Sequence, residues 1–165
     1  PTAKGEIIAR LRAENELFIS EIILSGILDN LEPADLASVI NSVTTEDMRI
    51  PNFAQIPVSQ TTRKTLNKIR EIKKRIWQVQ RDNSIEREMY VNTYFAPLIE
   101  YWVNNGEWQE LIQQTEISEG DIVRSFKRTI DLLRQITILP DISETLKENA
   151  QIAIKSILRE PIDID

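Results

Sequence analysis

Arg124, Arg128, Asp131 and Gln135 recur at steps of three and four residues, with Lys127 and Arg134 beside them. Side chains at those steps share one edge of an α-helix, so the segment sets long cationic donors next to a carboxylate. Two readings of this edge stand. It is either a solvated face, with Arg128 and Asp131 as an intrahelical pair worth only a few tenths of a kcal/mol, or a ligand-binding edge. Catalysis has little to work with, because the chain contains no cysteine and no histidine. Disulfides, Cys/His zinc sites and Ser-His-Asp or Cys-His catalysis are therefore excluded. Only carboxylate or lysine chemistry remains, and pairs such as Glu46-Asp47 or Glu86 and Glu88 have no recognisable metal spacing. There is no phosphate loop of the G-x-x-x-x-G-K-[ST] type, and only four glycines in the whole chain.

The element that carries the edge is a helix starting after Ser118. Ile122, Phe126, Ile130, Leu133 and Ile136 form its core face, with Val123 and Leu132 on the flanks. Ser118 followed three residues later by Asp121 is a capping-box variant, with Asp replacing the usual Glu or Gln.

The chain has 165 residues, 41% hydrophobic and 28% charged, which suits one globular domain with a sizeable core. No stretch is apolar for long enough to span a membrane. The first residue is Pro rather than Met and no leader pattern follows it, so the sequence reads as part of a longer cytoplasmic chain. Net charge is −6, and an acidic surface does not by itself attract nucleic acid. The distribution is uneven, however. Arg63, Lys64, Lys68, Arg70, Lys73, Lys74, Arg75 and Arg81 stand against Glu71 alone over residues 63–81, and with Arg124, Lys127, Arg128 and Arg134 they make up 12 of the 20 basic residues. This is compatible with a polarised surface and equally with one long exposed helix.

Gly5 to Arg12 is short and partly alternating and reads as an extended lead-in. Leu17, Ile19, Ile22, Ile23, Ile27 and Leu28 describe an apolar helix from Asn15 to about Asp29, and Pro33-Ala34-Asp35 opens a second one through Val43. Residues 46–58, with Pro51 and Pro57, read as a loop. A long helix begins near Ser59 and runs through Leu66, Ile69, Ile72, Ile76 and Val79. Trp77 among its cations is either core, packed under lysine stems, or a stacking platform for single-stranded nucleic acid. Tyr90, Tyr94, Phe95, Leu98, Trp102 and Val103 form an aromatic helical seam, with a kink or break expected at Pro97. Asn104-Asn105-Gly106 is a stop, residues 107–112 a short helix, and a closing helix with Leu146, Ala150, Ala153 and Ile157 follows Pro140.

The run Glu119-Gly120-Asp121-Ile122-Val123-Arg124, then Phe126-Lys127-Arg128, then Asp131-Leu132-Leu133-Arg134-Gln135-Ile136 resembles the signature helix of the DSHCT domain. That domain is the C-terminal helical bundle of superkiller-type DExH-box RNA helicases, the antiviral-helicase and HelY-like group. Glu14, Glu16-Leu17, Glu21, Gly26, Leu28, Leu31, Pro33 and Leu36-Ala37 are similar to its opening, and the order Trp helix, Gly, short helix, Glu-Gly-Asp also matches. The resemblance covers nearly the whole chain and is weakest over 44–90. At the end, Lys147, Ala150, Ile157 and Arg159 agree with the pattern and Glu160-Pro161-Ile162 departs from it.

The resemblance implies a ratchet helix lying beneath the single strand that leaves the motor domains, with an Arg and an acid three residues later contacting successive nucleotides. The matching positions are Arg128 and Asp131. Arg can grip a phosphate or stack on a base, and a carboxylate can accept from a 2′-hydroxyl or base edge. Asp131 is shorter than the Glu often found at its position. Arg124, Lys127 and Arg134 either assist electrostatically or are solvated. By the same resemblance, the parent chain is an ATP-dependent RNA helicase whose motor domains, with ATP and Mg, and winged-helix segment lie upstream. Residues 1–165 are then its C-terminal helical domain, and this segment itself has no cofactor, metal or catalytic residue. The competing expectation is a helical protein-interaction module, in which the basic helix at 63–81 and the aromatic seam bind another domain or subunit. A carboxylate-dependent hydrolase has no constellation to support it. The fold expected is all-α, a single helical bundle of about six or seven helices with one short extended N-terminal segment.

Overall fold

A computed structural model describes residues 2–49 and 56–163. Among the described residues there are eight helices: α1 Ala3–Arg10, α2 Glu16–Leu24, α3 Pro33–Thr44, α4 Gln60–Asp82, α5 Ala96–Val103, α6 Trp108–Gln113, α7 Glu119–Thr137 and α8 Glu144–Ile157. The class is all-α as expected, and the count is slightly above the expected six or seven. No helix among these residues is long and apolar enough to cross a membrane.

The bundle is built around α3. Every residue from Leu36 to Val43 is buried, because α3 packs on α4, α5, α7 and α8 at once. Pro33 starts it where a missing N–H costs nothing. Its small residues, Ala34, Ala37, Ser38 and Ser42, allow that close surrounding. Five other helices begin at side chains that accept a first-turn N–H: Thr2 for α1, Asn15 for α2, Ser59 for α4, Ser118 for α7 and Ser143 for α8. For α7, Ser118 Oγ accepts from the Asp121 N–H at 3.2 Å. The Asp121 carboxylate pairs forward with Arg124 at 3.0 Å, so the reciprocal half of a capping box is replaced by an ion pair.

Three readings of the sequence are corrected. Gly5 to Arg12 is not extended, since Ala3–Arg10 is helical, capped by Thr2. Ile7 and Leu11, four apart, are both buried, and packing on α2 outweighs the local alternation. The apolar helix after Asn15 stops at Leu24, and a turn with Gly26 at φ +79° carries Leu28 into the core. Glycine suits that left-handed conformation. The aromatic seam is helical only from Ala96 onward, so of the kink or break expected at Pro97 it is a break, with Pro97 in the first turn of α5. Residues ahead of it run as non-helical chain held to α3, with Asn92 N–H donating to Ser42 O at 2.9 Å and Asn92 Nδ2 to Thr45 O at 2.8 Å. Part of the loop read over 46–58, Pro51 included, lies outside the described residues.

The aromatic centre closes the bundle. Trp102, 2% exposed, donates Nε1–H to Ile157 O at 2.9 Å and lies edge-on to Trp108, which in turn meets Phe126. Arg159 covers the Trp102 ring, 3.4 Å from its centroid, and donates to Trp102 O. The Trp102 end of the seam therefore belongs to the core and is not free to dock a partner. Gly106 ends α5 against the Tyr101 ring, where an added Cβ would lie 2.2 Å from a ring carbon.

The start of α4 sits over two carboxylates, as its dipole favours. Ser59 N–H donates to Glu100 at 3.1 Å, and Ser59 Oγ donates to Asp35 at 2.5 Å. Burial pushes the Glu100 carboxyl above its ordinary value; the Ser59 N–H opposes this and the Asp35 charge adds to it.

Phe126 has no exposed surface, so Phe126→Ala should cost roughly 3–5 kcal/mol in a urea melt. Glu100 gives a pH test. A raised pKa contributes stability that is full below the ordinary value near 4.5 and is lost as the pH rises through the folded value. The stability of the native chain relative to Glu100→Gln should therefore fall across that window. A difference independent of pH would refute the assignment.

Candidate functional site

α7 presents its core face to α3 and α8, which leaves the Arg-rich edge outward. Beside that edge lie two adjoining hollows. One, of about 330 Å³, is lined from α7 by Arg128, Asp131, Leu132 and Gln135, with Phe18, Ile19 and Val43 at its apolar base. Its walls are Arg12 to Asn15, the end of α3 with Glu46, and Glu88 to Tyr90. The second, of about 180 Å³, is lined by Asp121, Arg124, Ser125 and Arg128 against Thr44 to Glu46, Met48 and Phe95. Arg128 and Glu46 line both, so the divide between the hollows is their ion pair. At 3.8 Å and half exposed on each side, it is a loose pair of little net strength.

The structure thus brings Arg124, Arg128 and Asp131 to one groove. It does not bring Lys127 or Arg134 there: both are exposed on α7 and line neither hollow. The partner of Arg128 is Glu46 rather than Asp131, and Arg124 is engaged by Asp121. Gln135 is committed to structure. Its amide accepts from Arg12 N–H at 2.6 Å and donates to Arg12 O at 3.1 Å, tying the link between α1 and α2 onto α7.

Two contributors were not found from sequence. In sequence Glu46 is half of a carboxylate pair with Asp47, and only the packing of α3 against α7 sets it opposite Arg128. Glu88 to Tyr90 had no motif; the Tyr90 hydroxyl donates to Glu88, and the carboxylates of Glu88 and Glu14 push its pKa up. The groove is consequently mixed in charge, with Arg12, Arg124 and Arg128 against Glu14, Glu46, Glu88, Asp121 and Asp131. It can bind a polyanion only through a few aligned contacts. Its carboxylates suit hydroxyl and amine donors, as on ribose and base edges.

What register holds α7 here is polar and buried. Asn41 Nδ2 donates to Ser125 Oγ at 2.8 Å and to Thr129 Oγ1 at 3.0 Å, and among the described residues no buried side-chain polar atom lacks a partner.

The bundle, with its central buried helix α3 and the Arg/Asp groove along α7, is of a class found in known proteins: a helical domain of helicases. The DSHCT (NUC185) domain model matches residues 1–165, and the chain belongs to that family. Similar proteins include the chloroplastic DExH-box ATP-dependent RNA helicase DExH15 of Arabidopsis thaliana, 30% identical over 96% of this chain and 14% of the relative. The exosome RNA helicase MTR4 of Homo sapiens is 22% identical over 81% of this chain and 13% of the relative. The probable helicase HelY of Mycobacterium tuberculosis (strain CDC 1551 / Oshkosh) is 24% identical over 99% and 19%. The chain spans less than a fifth of the length of these relatives.

Arg128 and Gln135 should separate in stability measurements. Arg128→Ala should change stability by no more than about 0.5 kcal/mol, as for an exposed residue. Gln135→Ala removes two hydrogen bonds and should cost about 1–2 kcal/mol in the same melt. Equal effects would contradict the division into groove and clamp.

Proposed function

We propose that this chain is the C-terminal helical domain of an ATP-dependent DExH-box RNA helicase and that the α7 groove guides the single strand leaving the motor domains. The observation that carries the reading is the placement of Arg128 and Asp131 on one exposed edge, above a groove, in a chain of the DSHCT family. In this reading Arg128 leaves its loose pair with Glu46 to grip a phosphate or base. Asp131 accepts from a 2′-hydroxyl or base edge, and Arg124 supports them in the adjoining hollow. Lys127 and Arg134 contribute at most to the wider field. ATP and Mg act in motor domains elsewhere in the parent chain, and a winged-helix segment joins those motors to this domain.

The relatives named as ATP-dependent RNA helicases support the class of reaction. The competing reading, a module binding another protein, has lost the buried Trp102 seam from its interface and keeps only the basic helix α4.

In the full-length protein, Arg128→Ala should reduce unwinding of an RNA duplex at least severalfold while leaving RNA-stimulated ATP hydrolysis nearly intact, because the groove holds the strand and not the nucleotide. Glu46→Gln should act in the opposite sense, raising RNA affinity by freeing Arg128. Unwinding unchanged by Arg128→Ala, together with loss of a protein partner, would overturn the assignment.

A further inference from the structure

A second groove runs along α4, away from the α7 edge. Within α4 eight cations face two carboxylates, a net of +6 in a chain whose total is −6. Arg63, Arg70, Lys74, Trp77 and Arg81 follow one another at steps of seven, four, three and four. At 3.6 residues per turn they fall within about 60° of one another. All five are exposed. The partners of this stripe are weak surface ones: Lys74 to Glu71 at 3.1 Å and Arg70 to Asn67 at 2.9 Å. Trp77 is 51% exposed, with the Arg81 guanidinium 5.3 Å from its ring centroid.

The chain after α4 turns at Ser84, φ +53°, and runs back beside the same stripe. Ile85 N–H donates to Gln80 O at 2.8 Å, and Gln80 Nε2 donates to Arg87 O at 3.0 Å. At the far end Thr93 and Tyr94 line one hollow with Arg63 and Arg70. Between helix and returning chain lie hollows of about 750 Å³ at the Trp77 end and about 360 Å³ at the Arg63 end. The first shares Glu88, Met89 and Tyr90 with the α7 groove.

We propose that α4 is a second binding surface for single-stranded RNA, receiving the strand from the α7 groove across Tyr90 and holding it by Trp77 stacking and the Arg63–Arg81 cation stripe. A stripe in which one aromatic stands among cations fits a strand of phosphates and bases. It does not fit an apolar protein face, for Val79, the other exposed apolar residue of α4, lies on a different side of the helix. The carboxylates Asp47, Glu86 and Glu88 border the Trp77 end, so stacking dominates there and phosphate contacts dominate toward Arg63. At 1.5 Å per residue α4 is about 35 Å long, enough to follow several nucleotides of a single strand. The path begins where the α7 reading places the strand, and it rests on that reading for its starting point alone.

The test compares two variants of the full-length protein on oligouridylates of about eight and about 24 nucleotides, read by fluorescence anisotropy across a salt series. One variant carries Arg70→Gln, Lys74→Gln, Arg81→Gln and Trp77→Ala; the other carries Arg128→Ala. Since the four α4 residues are exposed, the melting midpoint should be unchanged. The α4 variant should bind the long strand at least tenfold more weakly, with a salt slope shallower by about 2, and the short strand as before. Trp77→Phe alone should retain most of the long-strand affinity. Arg128→Ala should weaken both lengths. Unchanged long-strand affinity and slope in the α4 variant overturn this inference and leave the α7 reading standing. So does unchanged RNA binding with loss of a protein partner. An α4 effect without an Arg128 effect overturns the α7 reading and retains α4 as the RNA surface.

Discussion

The side-chain amide of Asn41, wholly buried in α3, donates to Ser125 Oγ and Thr129 Oγ1, one helical turn apart on α7. Two donors on one nitrogen, aimed at two hydroxyls four residues apart, admit one register between the helices. Sliding α7 by a residue would leave at least one buried polar group unpaired, at a cost of about 1–3 kcal/mol. Apolar contacts from Ile122, Phe126 and Leu133 supply most of the attraction, but they tolerate sliding better than hydrogen bonds do. The position of Arg128 relative to Glu46 and the end of α3 depends on that register, because Ser125 and Thr129 flank Arg128 in sequence. Thr45 Oγ1 donates to Asn41 O at 2.7 Å and so holds the end of α3 in the same network.

Charge is distributed by exposure rather than by overall sign. α4 touches only α2 and α3 strongly, so most of its circumference remains in water and its cations need no partners. α7 is enclosed on its core side by α3 and α8 and lies beside acidic loops, which gives a groove of mixed sign. The two surfaces differ in what they can do. A mixed groove discriminates through hydrogen bonds at fixed positions, whereas a cationic stripe attracts any polyanion and weakens steeply with salt.

Much was legible before folding. The core face of α7, its Ser118 cap, the start of α4 at Ser59 and the span of α3 all follow from periodicity and capping, which are local properties of the chain. Other features depended on what lay opposite. α1 is helical because Ile7 and Leu11 have α2 to pack against. Residues 88–95 leave the helical pattern because α3 offers Ser42 and Thr45 carbonyls to Asn92. Trp77 stays half in water because, among the described residues, no helix packs on that side of α4 and the returning chain only borders it.

The sequence by itself determined which residues of α7 face outward and that long donors and a carboxylate would share an edge. It also determined that no histidine, cysteine or phosphate-loop chemistry could operate here. Tertiary structure alone decided which of those outward residues share a groove. Lys127 and Arg134 differ from Arg128 by about a quarter to a third of a turn, and the walls around Arg128 come from residues 12–15, 44–46 and 88–90, distant in sequence. It also turned Gln135 into a clamp, since its partner Arg12 lies 123 residues away. Helical periodicity is set within a few residues, but a groove exists only where separate elements meet, and their meeting is governed by packing across the whole core.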